Sequence, residues 1–195
     1  MLMTHTNTGN TTRPLPGDFA IWIFIFAELL VFGVLFAAYA FARSAHTELF
    51  NASQLTLNRP YGLANTLILI SSSYCVVRAS EAIQTGRSIV CAHCLSAALG
   101  LGGLFLLLKT LEFQQDFAQG ITLSGNLFYM FYLSMTFFHF MHVLMGMLIL
   151  TVVTWKAYNG SYSADNHTGV ETGASYWHMV DLVWIILFAL VYVIH

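Results

Sequence analysis

The chain has 195 residues, of which 57% are hydrophobic and 8% charged, with a formal net charge of −2 and a mean hydropathy of +0.70. A soluble domain carries roughly 25% charged residues, so this composition points to a membrane protein of one compact domain. With no basic surface, no nucleic-acid partner is expected.

Residues 1–18 form a polar segment with Arg13, Pro14, Pro16 and Asp18. They lack an apolar core followed by a small-residue cleavage site, so no cleaved signal peptide is expected. A membrane helix needs roughly 20 mainly apolar residues, and five segments meet or approach that length, at about 19–42, 61–77, 88–108, 127–155 and 174–194. The connections carry turn signals: Asn51 to Pro60, the tight link Gln84-Thr85-Gly86-Arg87, Gln114 to Gly125, and Asn159 to Gly173. No alternating strand pattern suggests a barrel. The expected fold is therefore all-α, a five-transmembrane-helix bundle in a single domain over 19–195. Five spans place the termini on opposite sides. Arg13, Arg78, Arg87 and Lys156 would then face Arg43, Arg59 and Lys109, a distribution that leans towards a cytoplasmic N-terminus.

Ionisable groups inside a bilayer are costly unless paired or hydrated, so each is a functional hypothesis. Glu28 lies about 14 Å along span one, near mid-membrane. Span four carries His139 and His142 at i and i+3, and span five carries His178 and Asp181 at the same spacing, each pair on one helix face. Glu112 and Asp116 end span three, where interfacial solvation would make them cheaper. Glu171 precedes span five. On chemistry alone two readings stay open. In one, Glu28 bonds His139 or His142 and ties helices together or handles protons. In the other, Glu28, His139, His142, His178 and Asp181 supply ligands to zinc or iron in an independent intramembrane metalloenzyme. His46 and His93 sit near segment ends and His195 at the last position. Tyr129, Phe131, Tyr132, Phe137, Phe138 and Phe140 read as lipid-facing or packing. Cys91-Ala-His-Cys94 has C-x-x-C spacing without the following His of haem attachment; it is a redox or metal pair, or simply small residues that pack. A small transporter with Glu28 as proton carrier would favour broken helices and an internal repeat, and neither is present.

Five ordered stretches resemble subunit III of the haem–copper oxidases (cytochrome c oxidase subunit III-like). They are "WIFIFAELLVFGVLFAAYAF" at 22–41, "NTLILISSS" at 65–73, "LEFQQDF" at 111–117, "FFHFMHVLMGM" at 137–147 and "ETGASYWHMVDLVW" at 171–184. In this resemblance Glu28 falls on the family's carbodiimide-reactive carboxylate, and His178 and Asp181 are internal polar groups of its final helix. The resemblance implies a non-catalytic subunit of an oxidoreductase complex with no haem, copper or other metal of its own. Haem, with copper or non-haem iron, would sit in a catalytic subunit I-like partner, accompanied by its small subunits. This chain would stabilise that partner and support proton uptake into it, with membrane lipids as further partners. Mitochondrial-type subunit III has seven helices. Counterparts of the first two are absent here, so lipid sites of the cleft beside them do not carry over. The five-helix form resembles the quinol oxidase subunit III and, in its short N-terminus and its Tyr-Trp-His-Met-Val-Asp wording at 176–181, resembles still more the homologue associated with nitric oxide reductase and denitrification. Family topology implies a multi-pass protein of the bacterial cytoplasmic (inner) membrane, N-terminus cytoplasmic and C-terminus periplasmic.

Overall fold

The structure, a computed structural model, describes residues 18–194. The polar segment expected over 1–18 therefore lies outside the described residues up to Asp18, as does His195. Helix α1 spans Phe19–Ala45, α2 Thr47–Gln54, α3 Arg59–Gln84, α4 Ser88–Ala118, α5 Leu127–Tyr158 and α6 Thr168–Phe188, and α6 runs on into a π-helical turn, Ala189–Val193. No strand occurs among the described residues, and five helices are long and apolar enough to cross a membrane. The all-α, five-span reading is what the structure shows.

Local chemistry sets the helix ends. The Asp18 carboxylate accepts from the Ala20 N–H at 3.3 Å, capping α1, while its own N–H donates to Thr172 Oγ1 of α6 at 3.3 Å. Asn126 caps α5 by accepting from the Tyr129 N–H at 2.8 Å. Pro60 sits in the first turn of α3, where its missing N–H costs nothing. The tight α3–α4 link closes at Gly86, whose φ of 74° lets the Arg87 N–H reach back to the Ala82 carbonyl at 2.9 Å.

Helices α3, α4, α5 and α6 pack in that order and α6 returns to α3, a closed four-helix ring; α1 lies outside it against α5 and α6. The outer face of α1 presents Phe19, Phe26, Leu30 and Phe41, as expected where the surrounding medium is lipid or another apolar chain. Several helices outrun the expected apolar spans. Helix α3 continues past Val77 to Gln84 and α4 past Leu108 to Ala118, while α6 starts at Thr168 rather than at Ala174. Apolar patterning marks where the hydrocarbon ends, whereas helical hydrogen bonding continues beyond it. Stretches read as connection are also partly helical: the start of Gln114–Gly125, the end of Asn159–Gly173, which holds the start of α6, and parts of Asn51–Pro60, which holds the end of α2 and the start of α3. Helix α2 is held by Arg43, which donates to Asn51 at 2.8 Å and Gln54 at 3.3 Å, and by Phe50, packed edge-on against Tyr39 and Phe128.

The ring closes around Trp177, which has no exposed surface. Its indole lies between Gly102 of α4 and Gly146 of α5. A Cβ on Gly102 would come within 2.8 Å of the ring, and one on Gly146 within 2.9 Å. Here glycine serves close approach, the usual role of small residues between membrane helices. Gly146→Val should therefore lower stability by about 1–3 kcal/mol, the cost of overpacking, read as thermal unfolding in detergent. Gly33→Val, where a Cβ meets nothing within 4 Å, is the matched control and should leave unfolding unchanged. Equal behaviour of the two variants would refute the socket.

Candidate functional site

Glu28 projects from α1 towards α5 and meets His142, Oε2 to Nε2, at 3.0 Å; the two side chains are 20% and 12% exposed. Of the two partners the sequence leaves open for Glu28, the structure selects His142. The opposite ring nitrogen, Nδ1, lies 2.8 Å from the Phe138 carbonyl oxygen. A carbonyl accepts and never donates, so Nδ1 carries a proton. A neutral His142 then offers Nε2 as an acceptor, and Glu28 must supply the hydrogen; alternatively Nε2 is protonated and donates to a carboxylate. Either way one proton sits between the two residues. Phe32 and Phe138 flank the imidazole edge-on at 5.1 and 4.6 Å, and Tyr176 donates to the His142 backbone carbonyl at 3.3 Å. The ring is thereby fixed on α1's side of α5.

His139, one turn earlier, turns elsewhere. It is fully buried between Phe105 and Trp184, with ring centroids at 5.8 and 5.1 Å, and neither ring nitrogen has a hydrogen-bond partner. Three residues along a helix differ by about 60° in direction, so the shared face read for His139 and His142 divides between two neighbours. His178 is half-buried, with Nδ1 2.8 Å from Ser73 Oγ of α3. Asp181 is buried beside Ser73, and neither of its carboxylate oxygens has a well-aligned hydrogen bond. The five residues of the metal reading thus divide into Glu28 with His142, His139 alone among aromatics, and His178 with Asp181 around Ser73. Among the described residues no three His, Cys, Asp or Glu side chains gather as a metal-binding group. Glu171, expected before the last span, lies in the first turn of α6 with Oε1 3.2 Å from His167 Nε2.

The expectation that solvation at the membrane surface accommodates Glu112 and Asp116 is corrected by the structure. Both are buried inside the bundle, and so is Lys109, with no exposed surface. Lys109 Nζ donates to Glu112 Oε2 and to the Tyr192 hydroxyl, each at 3.0 Å. Tyr192 donates to Glu112 Oε1 at 2.7 Å, and Tyr132 to Asp116 Oδ2 at 2.9 Å. The rings of Phe113, Tyr132, Trp184 and Tyr192 surround Nζ at 5.1 to 5.7 Å, so the ammonium is met by π faces where it lacks oxygen. Opposite charges and hydroxyl donors replace water, which is why charged residues sit here inside a membrane helix. Tyr132, read as lipid-facing or packing, belongs to this network. Lys109, Glu112 and Asp116 stand at i, i+3 and i+7, one helix face; that spacing is the signal from which the cluster could have been read.

Cys91 is buried, Cys75 and Cys94 half-buried, and all three are free thiols.

The sequence profile of the cytochrome c oxidase subunit III family matches residues 3–195. The cytochrome c oxidase subunit 3 of Thermostichus vulcanus is 37% identical over 88% of this chain and 84% of its own length. That of Synechocystis sp. is 33% identical over 90% of this chain and 75% of its own. The subunit 3 of Pylaiella littoralis is 32% identical over 87% of this chain and 64% of its own.

Proposed function

Because the chain belongs to the cytochrome c oxidase subunit III family, we propose that it is an accessory, non-redox subunit of a bacterial terminal oxidase, bound to a haem- and copper-bearing catalytic subunit that it stabilises and helps supply with protons. The relatives' names favour a terminal oxidase over a nitric oxide reductase, and we take that branch. The Glu28–His142 contact carries the proton part of the reading. It holds one transferable proton on α1, the helix outside the ring, with the Glu28 side chain partly open to its surroundings. Uptake places a proton in the contact; release leaves a carboxylate facing a lone pair, and the contact weakens. The Nδ1–H bond to the Phe138 carbonyl keeps the ring aimed through both states.

We place the N-terminus in the cytoplasm and the C-terminus in the periplasm. Lys109 is buried among its partners and so does not count as a loop charge. That leaves Arg43 and Arg59 on the C-terminal side, against Arg13, Arg78, Arg87 and Lys156 on the other, an excess in the direction of a cytoplasmic N-terminus.

Gentle detergent purification of the tagged chain from its own host tests the reading. A stoichiometric haem-bearing partner should co-purify, and this chain, once separated, should carry no transition metal. A chain that purifies alone with its own zinc or iron would overturn the proposal.

A further inference from the structure

We propose that the buried cluster around Lys109 is a second proton-binding site, in which one added proton is shared between Asp116 and Glu112 through the Tyr132 hydroxyl. The count of hydrogens carries the inference. The Tyr132 hydroxyl oxygen lies 2.9 Å from Asp116 Oδ2 and 3.1 Å from Glu112 Oε1. A phenol has one hydrogen and can donate it to only one of them. The neighbouring donors are committed elsewhere. Tyr192 donates to Glu112 Oε1 at 2.7 Å, and Lys109 donates to Glu112 Oε2 and to the Tyr192 oxygen, each at 3.0 Å. The third ammonium hydrogen has the Tyr132 oxygen as its acceptor, at 3.5 Å. With both carboxyls ionised, one of the two short contacts of Tyr132 would join two oxygens with no hydrogen between them. One more proton completes the chain: Asp116 O–H donates to Tyr132, and Tyr132 O–H donates to Glu112.

Charge requires the same proton. The cluster sets one ammonium, Lys109, against two carboxyls, and an uncompensated charge is costly in a buried site. With the added proton the set is neutral. The surrounding titratable groups come from every neighbouring element: Tyr132 and His139 from α5, Tyr192 from the π-helical turn, and Tyr61 from α3, whose hydroxyl accepts from Gln115 Nε2 at 3.3 Å. His139 and Lys109 meet the same ring, that of Trp184, at 5.1 and 5.5 Å. Arg59 is exposed at the start of α3, and Arg43 is bonded to Asn51 and Gln54. The transfer balances within the chain. The Asp116 hydrogen passes to the Tyr132 oxygen as the Tyr132 hydrogen passes to Glu112 Oε1, so the phenol stays neutral and the negative charge moves from Glu112 to Asp116. Asp116 is the point of entry. It lies in the last turn of α4 and is 6% exposed, against 1% for Glu112 and none for Lys109. The Glu28–His142 contact shares no residue with this chain, so the two proton sites stand or fall separately.

Infrared difference spectroscopy on the full chain, in the complex with which it purifies, tests this. The C=O stretch of a protonated carboxyl stands apart from that of a carboxylate and shifts in heavy water. Asp116→Asn and Glu112→Gln should each remove the same protonated-carboxyl band, because either change leaves Lys109 with a single carboxylate and a neutral cluster that needs no added proton. Tyr132→Phe should keep the band but shift it towards the frequency of an unbonded carboxyl. That variant preserves the ring and both carboxyls, so it reads the chain even if an amide variant fails to assemble. Glu81→Gln, in the exposed ion pair at the other end of the bundle, should leave the spectrum unchanged. Retention of every protonated-carboxyl band in both Asp116→Asn and Glu112→Gln would show that both groups are ionised and would overturn the proposal. Loss of the band in Asp116→Asn alone would confine the proton to Asp116 and remove the sharing. An unshifted band in Tyr132→Phe would take Tyr132 out of the path.

Discussion

Lys109→Met should cost about 3–5 kcal/mol of stability, the penalty for removing one partner of a buried ion pair, and should sharply reduce the amount of chain that assembles. Lys109 has no exposed surface, and its Glu112 partner is 1% exposed. Methionine fills the volume but leaves the Glu112 and Asp116 carboxylates with two tyrosine hydroxyls and no cation. A folded domain is stable by roughly 5–15 kcal/mol, so the loss is a large share of the total. Thermal unfolding in detergent measures it. Combining Lys109→Met with Glu112→Gln should recover much of the loss, because the amide is neutral and its oxygen still accepts from Tyr192. The matched surface change, Arg78→Met, breaks an ion pair to Glu81 at 2.8 Å whose side chains are more than half exposed. Screening by solvent reduces that pair to about 0–1 kcal/mol. If Lys109→Met unfolds like Arg78→Met, the cluster is not what ties α4 to α5 and to the C-terminal turn.

This cluster also shows where sequence reading reached its limit. The five spans were legible because a bilayer demands about 20 apolar residues, and that demand is written locally. Lys109 was legible as a charge but not as a buried one, since hydropathy assigns charge to solvent while the tertiary structure assigns it to partners. Two of those partners, Tyr132 and Tyr192, come from other helices, and no pattern within α4 names them. Helix α2 was missed for the opposite reason. Its eight residues are too few to show a period, and its order comes from Arg43 and from the aromatic contacts of Phe50. Within the candidate site, residue types and spacings were legible, but directions were not. His139 and His142 differ by one turn, and their fates diverge because Trp184 stands on one side of α5 and Glu28 on the other. The placement of neighbouring helices decides that, and it depends on contacts such as the Trp177 socket far along the chain.

Glu28→Gln separates a proton-carrying role from a packing role because it changes almost nothing else. The amide group can donate to His142 Nε2 in place of the carboxyl hydrogen, and Nδ1 keeps its bond to the Phe138 carbonyl. Assembly and thermal unfolding of the complex should therefore match the unmodified protein. An amide nitrogen does not exchange its proton with imidazole during turnover, so the contact persists while its transferable proton is gone. A positioned acid or base at a reacting bond contributes roughly a hundredfold or more. This pair would feed chemistry located in another subunit, and on that basis sustained oxygen turnover should fall on the order of tenfold, less than the effect of such a group. Glu28→Ala, which removes the hydrogen bond as well, should lose stability in addition to rate. Unaltered turnover in Glu28→Gln would reduce the pair to a helix tie between α1 and α5. Loss of assembly in the same variant would show that the shared proton itself holds α1 in place.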